Sequence, residues 1–245
     1  MPIQTMREYL EFIRSPWGEM QFRLTWEQLA FAQGLRVLDF GSGMGKTADY
    51  LAGGNDVTAV EPSAKMLAHR YCEHEYRQIH GGLDDLPNGP FDLVVCHNVL
   101  EFVDDRERYL GELARRVAPG GRMSIVKHNL AGKALRQAVA YDDPAGALAL
   151  VQGEQATNHF GAIRMYGTDE LIGWAVAHGF ACEQYYGIRS FHALRPDNDG
   201  WADPAWVEAM HALEQHTAQE EPYRGVAFFH HVVLRKTVGA SSAHP

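Results

Sequence analysis

The chain has 245 residues, 46% of them apolar, and a formal net charge of −9. That length holds one large domain with a full core, and the acidic balance speaks against a broad nonspecific nucleic-acid surface, so DNA is not expected and any RNA partner must be bound locally. No apolar run nears the roughly 20 residues of a spanning helix, residues 1–8 lack a signal-peptide core, and Cys72, Cys96 and Cys182 have no CxxC spacing; these features predict a cytoplasmic chain without membrane span, disulfide framework or metal site.

In chain order, residues 7–34 predict a helical lead-in whose Trp17, Phe22, Trp26, Leu29 and Phe31 form an apolar cover over a cofactor. Residues 36–40 predict a short buried strand that feeds the run Asp39-Phe40-Gly41-Ser42-Gly43-Met44-Gly45, and Thr47, Ala48, Tyr50, Leu51 and Ala52 open a helix. Glycine admits positive φ and has no Cβ, so the backbone can turn sharply here and lay N–H groups against a ligand. The next apolar strand, 56–60, ends in Glu61, twenty residues after Gly41. A carboxylate at that point can accept from both hydroxyls of a ribose.

Further along, the pattern predicts a helix over 64–76 with Ser63 as N-cap, a strand at 77–80, a loop over 81–87 and a strongly apolar strand at 91–97. A helix over 99–117, closed by Pro119-Gly120-Gly121, and a strand at 122–127 follow. Residues 130–165 break the rhythm and read as a helical cap insertion, after which come a helix at 168–179, a strand at 181–189, a helix near 201–219 and a last strand at 227–234. Residues 239–245 predict a disordered tail. The order implies an α/β fold with a Rossmann-like, doubly wound, mostly parallel sheet: residues 1–34 are the lead-in and 35–238 the main domain. Ligands of such sheets sit beyond the carboxyl ends of the strands, where Gly41–Gly45, Glu61, Gly82–Asp84 and His97 converge. Asp84 and Asp85 also read as a solvated turn, and His97 as a core histidine at a strand end.

Spacing separates the cofactor classes that could use the glycine run. A Walker A loop ends in Gly-Lys-Thr as Gly45-Lys46-Thr47 do, but its first glycine falls on Phe40. A dinucleotide loop places its third glycine on Lys46, whose side chain would crowd helix–strand packing. A tight turn with no ligand is a further reading. The pattern Asp-x-Gly-x-Gly-x-Gly, with an acid closing the second strand, resembles motif I of the class I S-adenosylmethionine (SAM)-dependent methyltransferases.

The resemblance narrows at Phe91-Asp92-Leu93-Val94, His97-Asn98-Val99-Leu100-Glu101-Phe102-Val103-Asp104 and Ala118-Pro119-Gly120-Gly121. The form His-x-Val-Leu-Glu-aromatic is similar to the tRNA 5-carboxymethoxyuridine methyltransferase family, as are Gly187-Ile188-Arg189-Ser190-Phe191-His192, Glu221-Pro222-Tyr223 and His231. The similarity spans about residues 15–236. It implies SAM as cofactor, with S-adenosylhomocysteine as product. It also implies cofactor contacts from Asp39, Gly41, Ser42, Gly43, Glu61, Met66, Gly82, Leu83, Asp84 and His97, and from the lead-in helix, where the family's Arg falls on Gln21 with Arg23 close by.

The reaction so implied is methyl transfer to a carboxylate oxygen of a modified wobble uridine in tRNA. A carboxylate is ionised at neutral pH, so no catalytic base is needed and catalysis rests on positioning. Candidates to hold the acid are His97, His128, Arg189, His192, Tyr223 and Arg224. Two departures from the family bear on the acceptor. Residues 151–160 carry no Lys or Arg where the prototype has a lysine run, and Phe228-Phe229-His230 replaces an Arg-Tyr pair. A small-molecule acceptor is therefore the alternative, and a SAM-binding protein without catalysis a further one. Nothing in the sequence sets the oligomeric state.

Overall fold

The computed structural model describes residues 3–154, 156–158, 161–195 and 199–238. The tail expected to be disordered, 239–245, lies outside them. The lead-in is two helices, α1 (Ile3–Arg14) and α2 (Pro16–Glu27). The break falls at Ser15, whose hydroxyl caps Gly18 N at 3.1 Å, with Pro16 starting the second helix where a missing N–H costs nothing. Next come β1 (Arg36–Phe40), α3 (Lys46–Ala52), β2 (Asp56–Glu61), α4 (Ala64–Leu67), β3 (Arg77–His80), β4 (Phe91–His97), α5 (Arg106–Arg116) and β5 (Val117–His128). The remainder is α6 (Leu130–Val139), α7 (Pro144–Val151), β6 (Ala156–Asn158), β7 (Gly161–Ile163), α8 (Thr168–Ala177), β8 (Phe180–Ile188), α9 (Pro204–Thr217), α10 (Tyr223–Val226) and β9 (Phe229–Lys236).

Seven strands make one sheet in the order β3-β2-β1-β4-β5-β9-β8. β1, β2, β3, β4 and β5 pair in parallel. β9 runs antiparallel to β8: Phe228 N, before β9, donates to Arg189 O, just past the end of β8, at 3.1 Å, and Thr237 N, after β9, donates to Gly179 O, just before β8, at 2.9 Å. The sheet is therefore the expected Rossmann-like one, mixed through its last strand.

Three predicted elements need correction. The helix expected over 64–76 stops at Leu67, because Tyr71 N donates to Met44 O, His74 N donates to Asp49 Oδ1 and Tyr76 Oη donates to Tyr71 O. These bonds hold the segment on α3 and its preceding loop. The helix expected over 99–117 is a 3₁₀ turn at Leu100–Phe102 followed by α5, whose start is capped by the Asp105 carboxylate on Arg108 N. The cap is not wholly helical: after α6 and α7 it ends in the antiparallel hairpin of β6 and β7.

The chain forms two compact units, residues 30–126, 168–184 and 232–245 in one, and residues 1–29, 127–167 and 185–231 in the other. The first, the sheet unit, packs Val37, Val57, Ala59, Leu93 and Val95 from its parallel strands against Ala48 and Leu51 of α3. All of these are almost fully buried, which is why the strands read as continuous apolar runs. The second, the cap unit, is built on α6. No Cβ fits at Gly132, because the Ala227 carbonyl lies against it. The helix thereby packs directly on the backbone entering β9, and Asn129 locks the approach by donating from Nδ2 to Gly225 O and Ala227 O. Among the described residues no helix is long and apolar enough to cross a membrane.

Candidate functional site

The sheet unit brings the ends of β1, β2 and β4 to one side. Gly41 and Gly43 have φ of +72° and +59°, a region other residues rarely enter. At Gly41 a Cβ would also overlap Val99 Cγ2. Gly41 N and Ser42 N both donate to Val60 O, at 2.8 and 3.2 Å, pulling the loop across the end of β2. Glu61, the last residue of β2, clamps it there: Oε2 accepts from Gly43 N at 2.8 Å and Oε1 from Ser63 N at 2.8 Å. Each carboxylate oxygen has a second lone pair free for a ligand hydroxyl.

Several groups here fit a polar ligand. Asp39 Oδ2, Ser42 Oγ and Asn98 Oδ1 are buried and have no protein partner, which is costly unless a ligand or water satisfies them. Burial, with the Glu61 charge adding to it, raises the Asp39 carboxyl to about 7. Asn98, just past β4, sits at φ +55° with its N–H on Val126 O, a strained position of the kind that gathers at functional sites. His97 Nε2 hydrogen bonds Ser124 Oγ at 2.7 Å. A Cβ at Gly43 or Gly82 would meet nothing within 4 Å, so the backbone is open on that side. Leu83 and Met66 are buried. Asp84 points to solvent and pairs with Arg108 at 3.3 Å, while Asp85 accepts from Gly82 N. Among the expected sheet-unit residues, Asp84 alone is exposed.

The cap unit holds the expected acceptor residues other than His97, and they part into two groups. Arg189 is buried, at φ +66° just beyond β8, with Nη1 donating to Gln21 Oε1 at 3.1 Å. Burial, with Arg136 adding to it, lowers the Arg189 guanidinium to about 9, so it stays charged at neutral pH. Tyr223 is partly exposed and its ring lies 5.4 Å from that of Phe191.

The others are spent on structure. His192, expected as an acceptor contact, has a fully buried side chain whose Nδ1 bonds Glu214 Oε1 at 2.7 Å and whose Nε2 is buried with no partner among the described residues. Glu214 also accepts from Ser190 N, Phe191 N and His192 N, fixing the turn after Arg189. Burial lowers the His192 pKa despite that carboxylate. His128 is buried between the rings of Phe228 and Phe229. Arg224 bonds Glu221 and covers the Tyr185 ring, and Arg23 bonds Glu208 and Glu27. Their charges are neutralised within the cap unit.

Sequence reasoning missed Asn98, Lys133, Arg136 and Glu214. The spacing of Lys133 and Arg136, one turn apart in an otherwise Ala- and Gly-rich stretch, is a signal for a shared basic face. Nothing local marks Asn98 or Glu214.

Residues 38–125 match a family model described as a methyltransferase domain. The chain is 28% identical over 239 residues to the tRNA 5-carboxymethoxyuridine methyltransferase of Escherichia coli (strain K12), with 89% of each chain covered. Its fold is similar to that of a SAM-dependent methyltransferase, possible histamine N-methyltransferase, from Thermotoga maritima, with a TM-score of 0.63 at 17% identity, covering 96% of this chain and 97% of that one. It is also similar to magnesium protoporphyrin IX methyltransferase from Synechocystis PCC 6803 with bound S-adenosylhomocysteine, with a TM-score of 0.56 at 12% identity, covering 90% of this chain and 83% of that one.

Proposed function

We propose that the chain, whose residues 38–125 match a methyltransferase domain, is a class I SAM-dependent methyltransferase that transfers the methyl group to a carboxylate oxygen of a modified wobble uridine in tRNA. The observation that carries this reading is Arg189, a buried cation with a Gln21 hydrogen bond and, among the described residues, no carboxylate hydrogen bonded to it. A buried, unpaired guanidinium is costly to keep and is suited to bind a carboxylate through two parallel N–H donors. The relative in Escherichia coli, aligned over most of both chains, supports the tRNA acceptor.

In this reading Glu61 accepts from the ribose hydroxyls of the donor, and the backbone of Gly41, Ser42 and Gly43 lies against its nucleoside. Leu83, Asp84 and Met66 border the adenine, and Asp39 with Asn98 offers acceptors to the amino-acid portion. His97 completes the set, and Gly82 leaves room beside it. SAM, when bound, supplies a methyl group on a positively charged sulfur, which an oxygen lone pair can displace. The acceptor carboxylate is already ionised, so the protein moves no proton; it holds the acid and orients it, an effect that supplies about 7–11 kcal/mol in well-oriented reactions.

A small carboxylic acid is the second reading, favoured by the net charge of −9 and by the lack of Lys and Arg across 151–160. Mass spectrometry of nucleosides from tRNA of cells with and without the gene separates the two. Loss of a wobble-uridine methyl ester, restored by the wild-type gene and not by Arg189→Ala, is the expected result. An unchanged nucleoside profile would remove the tRNA reading.

A further inference from the structure

Three cations of the cap unit gather on one aromatic ring. Lys133 Nζ lies 5.9 Å from the centroid of Phe228, the Arg136 guanidinium carbon 5.2 Å and the Arg189 guanidinium carbon 5.0 Å. Lys133 and Arg136 stand one turn apart on α6, whose close seat on Ala227 brings that face to Phe228. Arg189 comes from the opposite direction in sequence, held by the turn that Glu214 fixes.

Charges of one sign repel, and burial strengthens the repulsion. The nearby acid relieves only part of it: the Glu214 charge attracts Arg189 without hydrogen bonding to it. Glu214 is occupied by three backbone N–H groups and by His192 Nδ1. Among the described residues no carboxylate hydrogen bonds Arg136 or Arg189, and the Nε of each is buried without a partner. Attraction to the face of Phe228 offsets part of the cost, and the Tyr141 ring lies 4.8 Å from Arg136, but neither supplies a negative charge at neutral pH.

We propose that Lys133, Arg136 and Arg189 form, around Phe228, an anion site that takes the carboxylate of the methyl acceptor. This rests on the carboxylate-esterification reading and adds two residues to it, Lys133 and Arg136, as determinants of specificity. The site selects an acid over its ester or amide, because the gathered positive charge attracts the ion and not the neutral forms. It also sets the order of events. Methyl transfer forms a bond from the acceptor oxygen to the methyl carbon as the sulfur–methyl bond breaks. The anion and the sulfonium are consumed together, and a neutral ester and a thioether remain. The ester has lost the charge that held it, so the product leaves a site that again prefers an acid.

The test uses the full chain with phenoxyacetate, which presents an aryl-linked oxyacetate, and with methyl phenoxyacetate as the neutral control. Calorimetric titration of the wild type is expected to show binding of the acid and at least about tenfold weaker binding of the ester, as for loss of a charged hydrogen bond. Arg136→Met and Lys133→Met are expected to weaken acid binding about tenfold or more, while affinity for S-adenosylhomocysteine stays unchanged. Ligand-free Arg136→Met is expected to melt at or above the wild-type temperature, because a repelling charge has gone; a purely structural Arg136 would give a lower one. If Arg136→Met does not fold, Lys133→Met is read alone by the same criteria. Equal binding of acid and ester by the wild type, or full acid binding in the variants, overturns the site. Acid-selective binding lost in the variants sustains the site even when the tRNA nucleosides show no methyl ester, an outcome that removes the tRNA acceptor only.

Discussion

Glu61 joins two tasks in a single carboxylate. Its two oxygens tie the backbone of the glycine loop to the start of α4, and in the proposed function their remaining lone pairs take the ribose hydroxyls of the donor. Glu61→Gln keeps the shape but turns an NH₂ toward one of the two backbone N–H donors. One tether is kept and the other becomes a contact between two donors. We expect S-adenosylhomocysteine affinity to fall about tenfold to a hundredfold, in line with the loss of a charged hydrogen bond worth about 1.5–3 kcal/mol. Calorimetric titration of the variant checks this, and an unchanged affinity would separate Glu61 from the ligand. Asp39 differs in kind: its raised pKa means the buried site disfavours the carboxylate in the free protein, as suits a group waiting for a polar partner.

At the scale of elements, β9 carries the clearest pH signature. His230 and His231 are adjacent on it and both are lowered to about 3, chiefly by burial. His231 donates from Nδ1 to Gln28 Oε1 at 2.7 Å, and His230 contacts Tyr185 Oη. An imidazole whose folded pKa lies below its unfolded value, near 6.5, binds its proton more readily in the unfolded chain. The stability it contributes is therefore full above pH 6.5 and is lost as pH falls toward 3. Each ring adds a slope of at most about 1.4 kcal/mol per pH unit in that window. Urea unfolding from pH 7.5 to 4.5 should show the decline, and His231→Gln should flatten it; a wild-type profile without any decline below pH 6.5 would contradict the burial of both rings.

Elements differ in how much of them the sequence reveals. β1, β2 and β4 are legible because burial on both faces leaves continuous apolar runs, and Gly41 and Gly43 because positive φ leaves few other choices. The helix over 64–76 is misread because periodicity is blind to Met44, Asp49 and Tyr76, whose hydrogen bonds take the backbone away after Leu67. His192 looks like a ligand-binding residue until Glu214, distant in sequence, is seen beside it. The basic site is harder still. Lys133, Arg136, Arg189 and Phe228 come from three separated segments, and only the seating of α6 on Ala227 assembles them.

For the whole molecule, charge sets the kind of encounter with RNA that the proposed function requires. A chain of net charge −9 repels a polyanion over most of its surface. Few phosphates can be neutralised, so the slope of log affinity against log salt should be shallow, about −2 for three released counterions on a single strand at −0.7 each. Filter binding of wobble-region RNA between low and physiological salt measures it. A steep slope, near −5 or beyond, would reveal a phosphate-binding surface that the described residues do not form.

The placement of β9 between β5 and β8 has a consequence for how the protein is made. The last strand in the chain is an interior strand of the sheet. While synthesis proceeds, β5 and β8 each wait with an unsatisfied backbone edge, a template for pairing with foreign strands. A nascent chain stalled before Phe229 therefore holds two open edges at once. The step that completes the sheet is also the step that protects it from aggregation, and it comes only when β9 has left the ribosome.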